Sequence, residues 1–116
     1  MRRALSAWGP AVLWAAAIFW VSSLPSVPLP EARASDKLAH FATYVVLGAL
    51  LARGAAASGL AGWAAVLTGV LYGASDEIHQ RFVPGRSPEL ADWMADSLGV
   101  VAGVFLFRFV FPRSRT

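Results

Sequence analysis

The feature that most constrains this sequence is its uncharged N-terminal stretch, which runs from Ala4 to Pro30. A helix needs roughly 20 apolar residues to cross a hydrocarbon core of about 30 Å, and this stretch is long enough. The prolines at its C-terminal end, Pro25, Pro28 and Pro30, predict that the helix stops and that an extended loop follows over residues 26–35. We therefore expect a membrane-spanning helix over residues 4–24, and not a cleaved signal peptide, because the stretch exceeds a usual signal-peptide core.

Composition extends this prediction to the whole chain. Of its 116 residues, 57% are hydrophobic and 15% are charged, whereas soluble domains are about 45–50% apolar and about 25% charged. So short a chain has too little interior to hide that much apolar surface from water. The same hydrophobicity excludes disorder. The absence of Cys excludes a disulfide scaffold and a cysteine-ligated metal site.

Three further apolar segments predict three further membrane spans. The expected fold is all-α: a polytopic membrane protein whose four transmembrane helices form one bundle, in a single domain over residues 1–116. The predicted spans cover residues 4–24, 38–53, 59–80 and 89–111.

The connections between these spans have signals of their own. Small residues over 54–59 predict a turn between the second and third spans. A loop is expected over residues 82–88. Ser87, Pro88 and Glu89 then resemble a helix N-terminus, with Ser87 as N-cap and Pro88 at the first helical position.

The distribution of charge predicts how the bundle is oriented. Four spans put both termini on one side, and that side carries arginines and no acid; the opposite side carries all 7 acidic residues. Basic residues concentrate in cytoplasmic loops, so we expect both termini inside a bacterial cytoplasmic membrane and the acidic end outside. The basic residues flank the spans and form no single stripe, so no nucleic-acid partner is expected. The arginines on the inner side are Arg2, Arg3, Arg53, Arg108, Arg113 and Arg115.

Polar residues recur at helical spacing near the outer ends of three predicted spans. Residues four apart lie on one helix face, so each set forms a ladder along its helix. A compact bundle would bring the ladders together. They consist of Asp36, His40 and Tyr44 in the second span; Tyr72, Asp76 and Gln80 in the third, with Glu77 beside them; and Asp92 and Asp96 in the fourth.

Small residues on the same faces indicate that the acids point into the bundle. In the third span, Gly69 and Gly73 share a helix face with Asp76. In the fourth span, Gly99 and Gly103 share a face with Asp92 and Asp96. Residues of this size at this spacing let helix backbones approach closely in lipid.

Structural and functional roles are both open for some of these side chains. Asp36 and Asp92 lie in first helical turns, where a carboxylate is stabilised by the helix dipole. Asp76 and Glu77 lie near a helix C-terminus, where the dipole disfavours them, and Asp96 lies one turn deeper than Asp92. A charge at membrane depth costs a few kcal/mol, so a functional role is expected for these three acids.

The motifs assembled above resemble the VanZ-like family of small integral membrane proteins. The matching segments are DKLAHFATY over 36–44, YGASDEIHQRFVPGRS over 72–87 and DWMADSLG over 92–99. The resemblance implies a helical protein with several spans. The name-giving member is associated with low-level resistance to the glycopeptide antibiotic teicoplanin. Glycopeptides bind cell-wall precursors outside the membrane, so the resemblance implies a role at the outer face of the cell envelope.

The leading hypothesis is an outward-facing site that recognises or modifies the head group of an envelope lipid or cell-wall precursor. A divalent cation such as Mg²⁺ prefers oxygen ligands. The candidate metal ligands are Asp76, Glu77, Asp92 and Asp96. His40 is the candidate acid or base, because imidazole titrates near neutral pH. The candidate catalytic set is His40, Asp76, Glu77 and Asp96.

Five further residues are candidate ligand-binding groups, and Lys37 and Arg86 are expected to contact phosphate. Asp36 is assigned to the same polar cluster without a specific role. The five are Lys37, Tyr44, Tyr72, Gln80 and Arg86.

Two alternatives stay open, and the sequence does not decide whether the protein is an enzyme. In the first, the protein is a non-catalytic envelope scaffold whose polar cluster specifies the bundle. In the second, it is a small transporter whose intramembrane acids carry protons. The second is weaker, because the acids gather at one end of the spans.

Overall fold

A computed structural model of the chain describes residues 2–25 and 33–112. Within these residues the protein is all-helical, and the predicted four-helix bundle is confirmed. Its helices are α1 (Arg2–Ser22), α2 (Arg33–Ala57), α3 (Gly62–Gln80) and α4 (Leu90–Val110). By length and composition, three of them can cross a membrane: α1, α4 and the Asp36–Ala57 part of α2.

The surface of the bundle is apolar. Leu13 of α1 is 73% exposed, and Phe105 and Phe109 of α4 are 70% and 85% exposed. Contiguous apolar surface of this kind is unusual on a soluble monomer. It is the surface that a hydrocarbon solvent requires, so the structure agrees with a membrane protein.

The second helix is longer than predicted at both ends. It begins at Arg33, so residues 33–35 of the predicted loop are helical, and residues 26–32 lie outside the described part of the chain. It ends at Ala57, so the predicted turn over 54–59 is wrong for its first four residues. Alanine has the highest helix propensity. The propensity of the three alanines after Gly54 therefore exceeds the destabilising effect of that glycine on the helix.

The turn after α2 is set by Gly59. Its φ of 73° is in the left-handed region that glycine adopts without strain. Leu60 N–H donates to Ala55 C=O at 2.8 Å, and Gly59 N–H donates to Ala56 C=O at 3.2 Å. This pair of bonds is a Schellman motif, which satisfies the last free carbonyls of the helix.

The predicted N-terminus of α4 is wrong by two residues. The N-cap is Glu89 rather than Ser87, and no side chain caps the helix. The reason is a tertiary contact: Glu89 N–H donates to Glu77 Oε2 of α3 at 3.0 Å. Because this bond holds Glu89 in an extended conformation (φ −130°, ψ 133°), the helix begins at Leu90.

The four helices alternate in direction. Contacts at one end join Trp8 near the start of α1 to Ser58 after α2. Contacts at the other end join Ser22 of α1 to Asp76 of α3, near the C-terminus of each helix. The C-termini of α1 and α3 and the N-termini of α2 and α4 therefore share one end of the bundle, which we call the polar end.

Glycines bring α2 and α4 into close contact. A Cβ atom on Gly48 would meet the backbone carbonyl of Val100, and one on Gly103 would meet that of Val45. A Cβ on Gly99 would lie 2.5 Å from the carbonyl oxygen of Phe41. Small residues at this spacing allow direct backbone contact between helices in lipid.

We expect Gly103→Ala to destabilise the bundle by about 1–3 kcal/mol, because the methyl group would overlap the backbone of α2. The measurement is the thermal unfolding midpoint in detergent, followed by circular dichroism. Gly9→Ala is the matched control, since a Cβ there meets nothing within 4 Å. It should leave the midpoint unchanged or raise it. Equal losses in both variants would contradict the close contact.

Candidate functional site

Among the described residues, six polar or charged side chains are buried at the polar end, although the bundle exterior is apolar. The predicted inward faces are found: the acids of α3 and α4 are buried together with the glycines of their own faces. A buried polar group is costly unless it is hydrogen-bonded, so the partners of each group define what the site can do. The six are Ser22, Asp76, Glu77, Gln80, Asp92 and Asp96.

One buried pair joins α2 to α4. His40 Nδ1 lies 2.7 Å from Asp96 Oδ1, and the Asp96 side chain is 0% exposed. Asp36 lies on the other side of the ring, with Oδ1 at 3.9 Å from His40 Nε2. The imidazole therefore lies between two carboxylates, one buried and one half-exposed.

A second network holds Asp76. Its Oδ1 accepts a hydrogen bond from the Ser22 hydroxyl at 2.5 Å, and its Oδ2 accepts one from the Tyr44 hydroxyl at 3.2 Å. Gln80 Nε2 donates to the Ser22 oxygen at 3.4 Å. Asp76 thus has a partner on each oxygen, and the network ties α1, α2 and α3 together.

Glu77 and Asp96 are incompletely satisfied. Glu77 Oε2 accepts the Glu89 N–H at 3.0 Å. Among the described residues, Glu77 Oε1 and Asp96 Oδ2 are buried without a hydrogen-bond partner, as is Ser97 Oγ. Buried polar atoms without partners are uncommon in folded proteins and call for an explanation.

The four carboxylates predicted to share one cation are not one group. In the described residues, two groups have ligand atoms within 4.8 Å of one another. Both contain His40, and Asp76 belongs to neither. The oxygens of Asp76 are hydrogen-bonded to Ser22 and Tyr44 instead. The groups are His40, Glu77 and Asp96, and Asp36, His40 and Asp92.

The two cations predicted to contact phosphate have protein partners. Lys37 Nζ lies 3.0 Å from Glu89 Oε2 and 3.2 Å from Asp92 Oδ1. Arg86 donates from Nε to the Leu24 carbonyl at 3.0 Å and from Nη2 to the Val21 carbonyl at 3.2 Å. Arg86 thereby adds donors to carbonyls in and just after the last turn of α1, where Val21 C=O also accepts the Leu24 N–H at 3.1 Å.

A cavity of about 360 Å³ opens beside these networks, between α1, α2 and α3. Its wall on α1 is mainly apolar, and its polar part lies at the polar end of the bundle. Tyr72 does not line it: the Tyr72 hydroxyl donates to the Ala15 carbonyl at 2.5 Å and attaches α3 to α1. Its lining includes Trp14, Ala17 and Ile18 on the apolar side, and Ser22, Asp36, His40, Asp76, Gln80 and Arg86 on the polar side.

The contribution of α1 to this site was not predicted from the sequence. Ser22 binds Asp76, and Trp14 lines the cavity while its indole N–H donates to the Thr43 carbonyl at 2.9 Å. The signal was present in the spacing, because Trp14, Ile18 and Ser22 are four residues apart and share one face of the helix. Because the rest of this face is apolar like most of the helix, the single serine at position 22 did not indicate that the face lines a polar site.

His79 was also missed. It stacks on Phe19 with ring centroids 4.6 Å apart, and its Nε2 lies 2.9 Å from Ser23 Oγ. The contact contributes to holding α1 against α3.

The family resemblance is confirmed by comparison with known proteins. The family model described as VanZ/LLP1 matches residues 7–111, nearly the whole chain. The match includes all four helices except the first turn of α1, and therefore the entire polar end. Comparison with curated proteins and with solved structures gave no match.

We expect Ser22→Ala to lower the stability of the protein by about 1–3 kcal/mol, because it removes a donor from the buried carboxylate of Asp76. Thermal unfolding in detergent is the measurement. Ser75→Ala is the control, since that exposed hydroxyl donates only within its own helix, to Tyr72 C=O. If the two variants unfold at the same temperature, Ser22 does not stabilise the network.

Proposed function

The chain belongs to the VanZ/LLP1 family, and we propose that it binds the head group of an envelope lipid or lipid-linked cell-wall precursor at the outer face of a bacterial cytoplasmic membrane. The observation that carries this proposal is the cavity between α1, α2 and α3. The cavity has an apolar wall and a polar end, which match the apolar chains and the polar head group of a lipid molecule.

The size and lining of the cavity suit part of an amphiphile. Small-molecule sites span about 300–1,000 Å³ and combine apolar walls with a few polar groups, and this cavity has about 360 Å³. Trp14, Ala17 and Ile18 supply apolar surface from α1. Ser22 lies about one helical turn beyond Ile18 on α1. Asp76 of α3 also lines the cavity and is hydrogen-bonded to Ser22.

The polar lining favours a head group with both hydroxyl and phosphate groups. Asp36, Asp76 and the Gln80 amide offer acceptors for hydroxyl or amide donors. Arg86 lines the cavity and donates from Nε and Nη2 to the Leu24 and Val21 carbonyls. Its Nη1 has no partner among the described residues, so Nη1 and the positive charge are available to a phosphate oxygen. Chemical modification of the head group would use His40, which lines the cavity and contacts Asp96.

Lipid binding is tested by filling the cavity from α1. Ala16 and Ala17 are both exposed, but only Ala17 lines the cavity. Ala17→Phe should abolish retention of phosphate-bearing envelope lipids, measured by native mass spectrometry of protein extracted with its lipids. Ala16→Phe should retain them. In a strain whose teicoplanin susceptibility depends on this protein, only Ala17→Phe should change that susceptibility.

The hydrogen-bond networks support a second candidate function, a non-catalytic scaffold. Asp76, Lys37 and Arg86 each have protein partners already, as a purely structural cluster requires. In that case the two phenylalanine variants should carry the same lipids. Variants of the polar end should then lose abundance and stability together with activity.

Orientation is tested by labelling, which is straightforward because the chain has no Cys. The proposal puts the polar end outside. Ser87→Cys, in the exposed loop before α4, should react with a membrane-impermeant maleimide in intact cells. Ala57→Cys, at the opposite end of α2, should react only after the cells are opened. The reverse pattern would remove the connection with the cell wall.

A further inference from the structure

We propose that His40, Glu77 and Asp96 bind a divalent first-row transition-metal ion such as Mn²⁺ or Zn²⁺. This metal site lies where α2, α3 and α4 meet, and it is separate from the lipid cavity except for the shared His40. It differs from the four-carboxylate magnesium site expected from the sequence. It does not rest on the proposed lipid function.

The first argument is convergence. Each of the three side chains comes from a different helix, and their ligand atoms lie within 4.8 Å of one another. Glu77 and Asp96 are 8% and 0% exposed. A cation between them would be held by rigid elements and shielded from water.

The second argument is the pair of unpartnered oxygens. Glu77 Oε1 and Asp96 Oδ2 are buried and accept no hydrogen bond from the described residues. The other oxygen of each carboxylate is engaged, by Glu89 N–H and by the His40 ring. Each carboxylate therefore retains one free oxygen, as a metal ligand must, in a region where unsatisfied oxygens are destabilising.

Charge supports the same conclusion. Two buried carboxylates repel each other, and in the described residues neither forms an ion pair with Lys or Arg. Lys37 is directed instead to Glu89 and Asp92. A divalent ion with two carboxylates and a neutral imidazole makes a neutral cluster, which a low-dielectric environment favours.

The donor set indicates the class of metal. Carboxylate oxygens alone would suit Mg²⁺ or Ca²⁺, whereas an imidazole nitrogen favours Mn²⁺, Zn²⁺ and their neighbours. Three protein ligands leave at least one coordination position for water or another ligand, which is the arrangement of catalytic rather than structural metal sites.

Neighbouring groups already orient two of the ligands. Metal-bound imidazoles usually donate their second ring N–H to a carboxylate or carbonyl. If Nδ1 of His40 binds the ion, Nε2 faces Asp36 Oδ1 at 3.9 Å. Glu77 is held by the Glu89 N–H at the start of α4. The contact that displaces the N-cap of α4 thus also fixes a ligand.

The spacing of His40 and Asp96 requires little adjustment. A shared proton accounts for the 2.7 Å contact between Nδ1 and Oδ1. Two ligand atoms about 2.1 Å from one ion and at right angles are about 3.0 Å apart. If Asp96 binds the ion through Oδ1 as well as through the unpartnered Oδ2, replacing the proton by a metal ion moves Nδ1 and Oδ1 apart by only a few tenths of an ångström.

The test is metal binding by the full chain in detergent, without added lipid. Isothermal titration with Mn²⁺ and with Zn²⁺ should show one ion per chain for at least one of the metals. Glu77→Gln and Asp96→Asn should weaken that binding by more than about 100-fold, because even outer-shell partners contribute about 10–100-fold. Asp36→Asn, which alters only such a partner, should cost about 10-fold.

Asp76→Asn is the matched control. It removes an acid from the turn that holds Glu77, yet Asp76 belongs to neither group of candidate ligands, so metal affinity should be unchanged. Thermal unfolding of each variant separates loss of a ligand from loss of the fold. The absorption spectrum of the Co²⁺-substituted wild-type protein reports nitrogen and oxygen ligation independently of any variant.

Three outcomes would overturn the proposal. One is the absence of binding by the wild-type protein at millimolar Mn²⁺ and Zn²⁺. Another is binding that survives Glu77→Gln and is lost in Asp92→Asn, which would move the ion to the other group. The third is an equal loss of metal affinity in Asp76→Asn and in Glu77→Gln. None of them bears on lipid binding, which Ala17→Phe tests separately.

Discussion

The direct backbone contact between α2 and α4 is the interaction on which the rest of this structure depends. Gly48, Gly99 and Gly103 allow it, and any side chain larger than hydrogen would separate the helices. Only at this separation can the His40 ring reach Asp96 at 2.7 Å. Packing of small residues in the middle of the bundle therefore determines the electrostatics at its end.

The alternating helix directions explain why the charges collect at one end. The N-termini of α2 and α4 carry the positive ends of their dipoles, which favour the carboxylates of Asp36 and Asp92. The C-termini of α1 and α3 carry negative ends. Arg86 compensates that of α1 by binding carbonyls in and just after its last turn. Among the described residues, most charges of the polar end thus have a protein partner without any contribution from lipid.

Periodicity predicted which faces are buried, because it depends only on neighbours along one helix. Asp76 and Asp96 were expected to face inward, and they do. The partners of those side chains depend on how helices meet, and spacing along one helix does not contain that information. Ser22 was therefore missed, and the hydrogen bonds from Arg86 to the Val21 and Leu24 carbonyls were not predicted. The start of α4 was misplaced for the same reason, since a glutamate of α3 determines it.

The position of α1 has a consequence for access. This helix forms the apolar wall of the cavity, and its opposite face, which includes Leu13 and Trp20, is exposed along the bundle. It makes no close contact with α4 in the described residues. Under the proposed function, an amphiphile would enter the cavity sideways, within the plane of the bilayer. Its acyl chains would remain in hydrocarbon throughout, and only the head group would exchange water for protein.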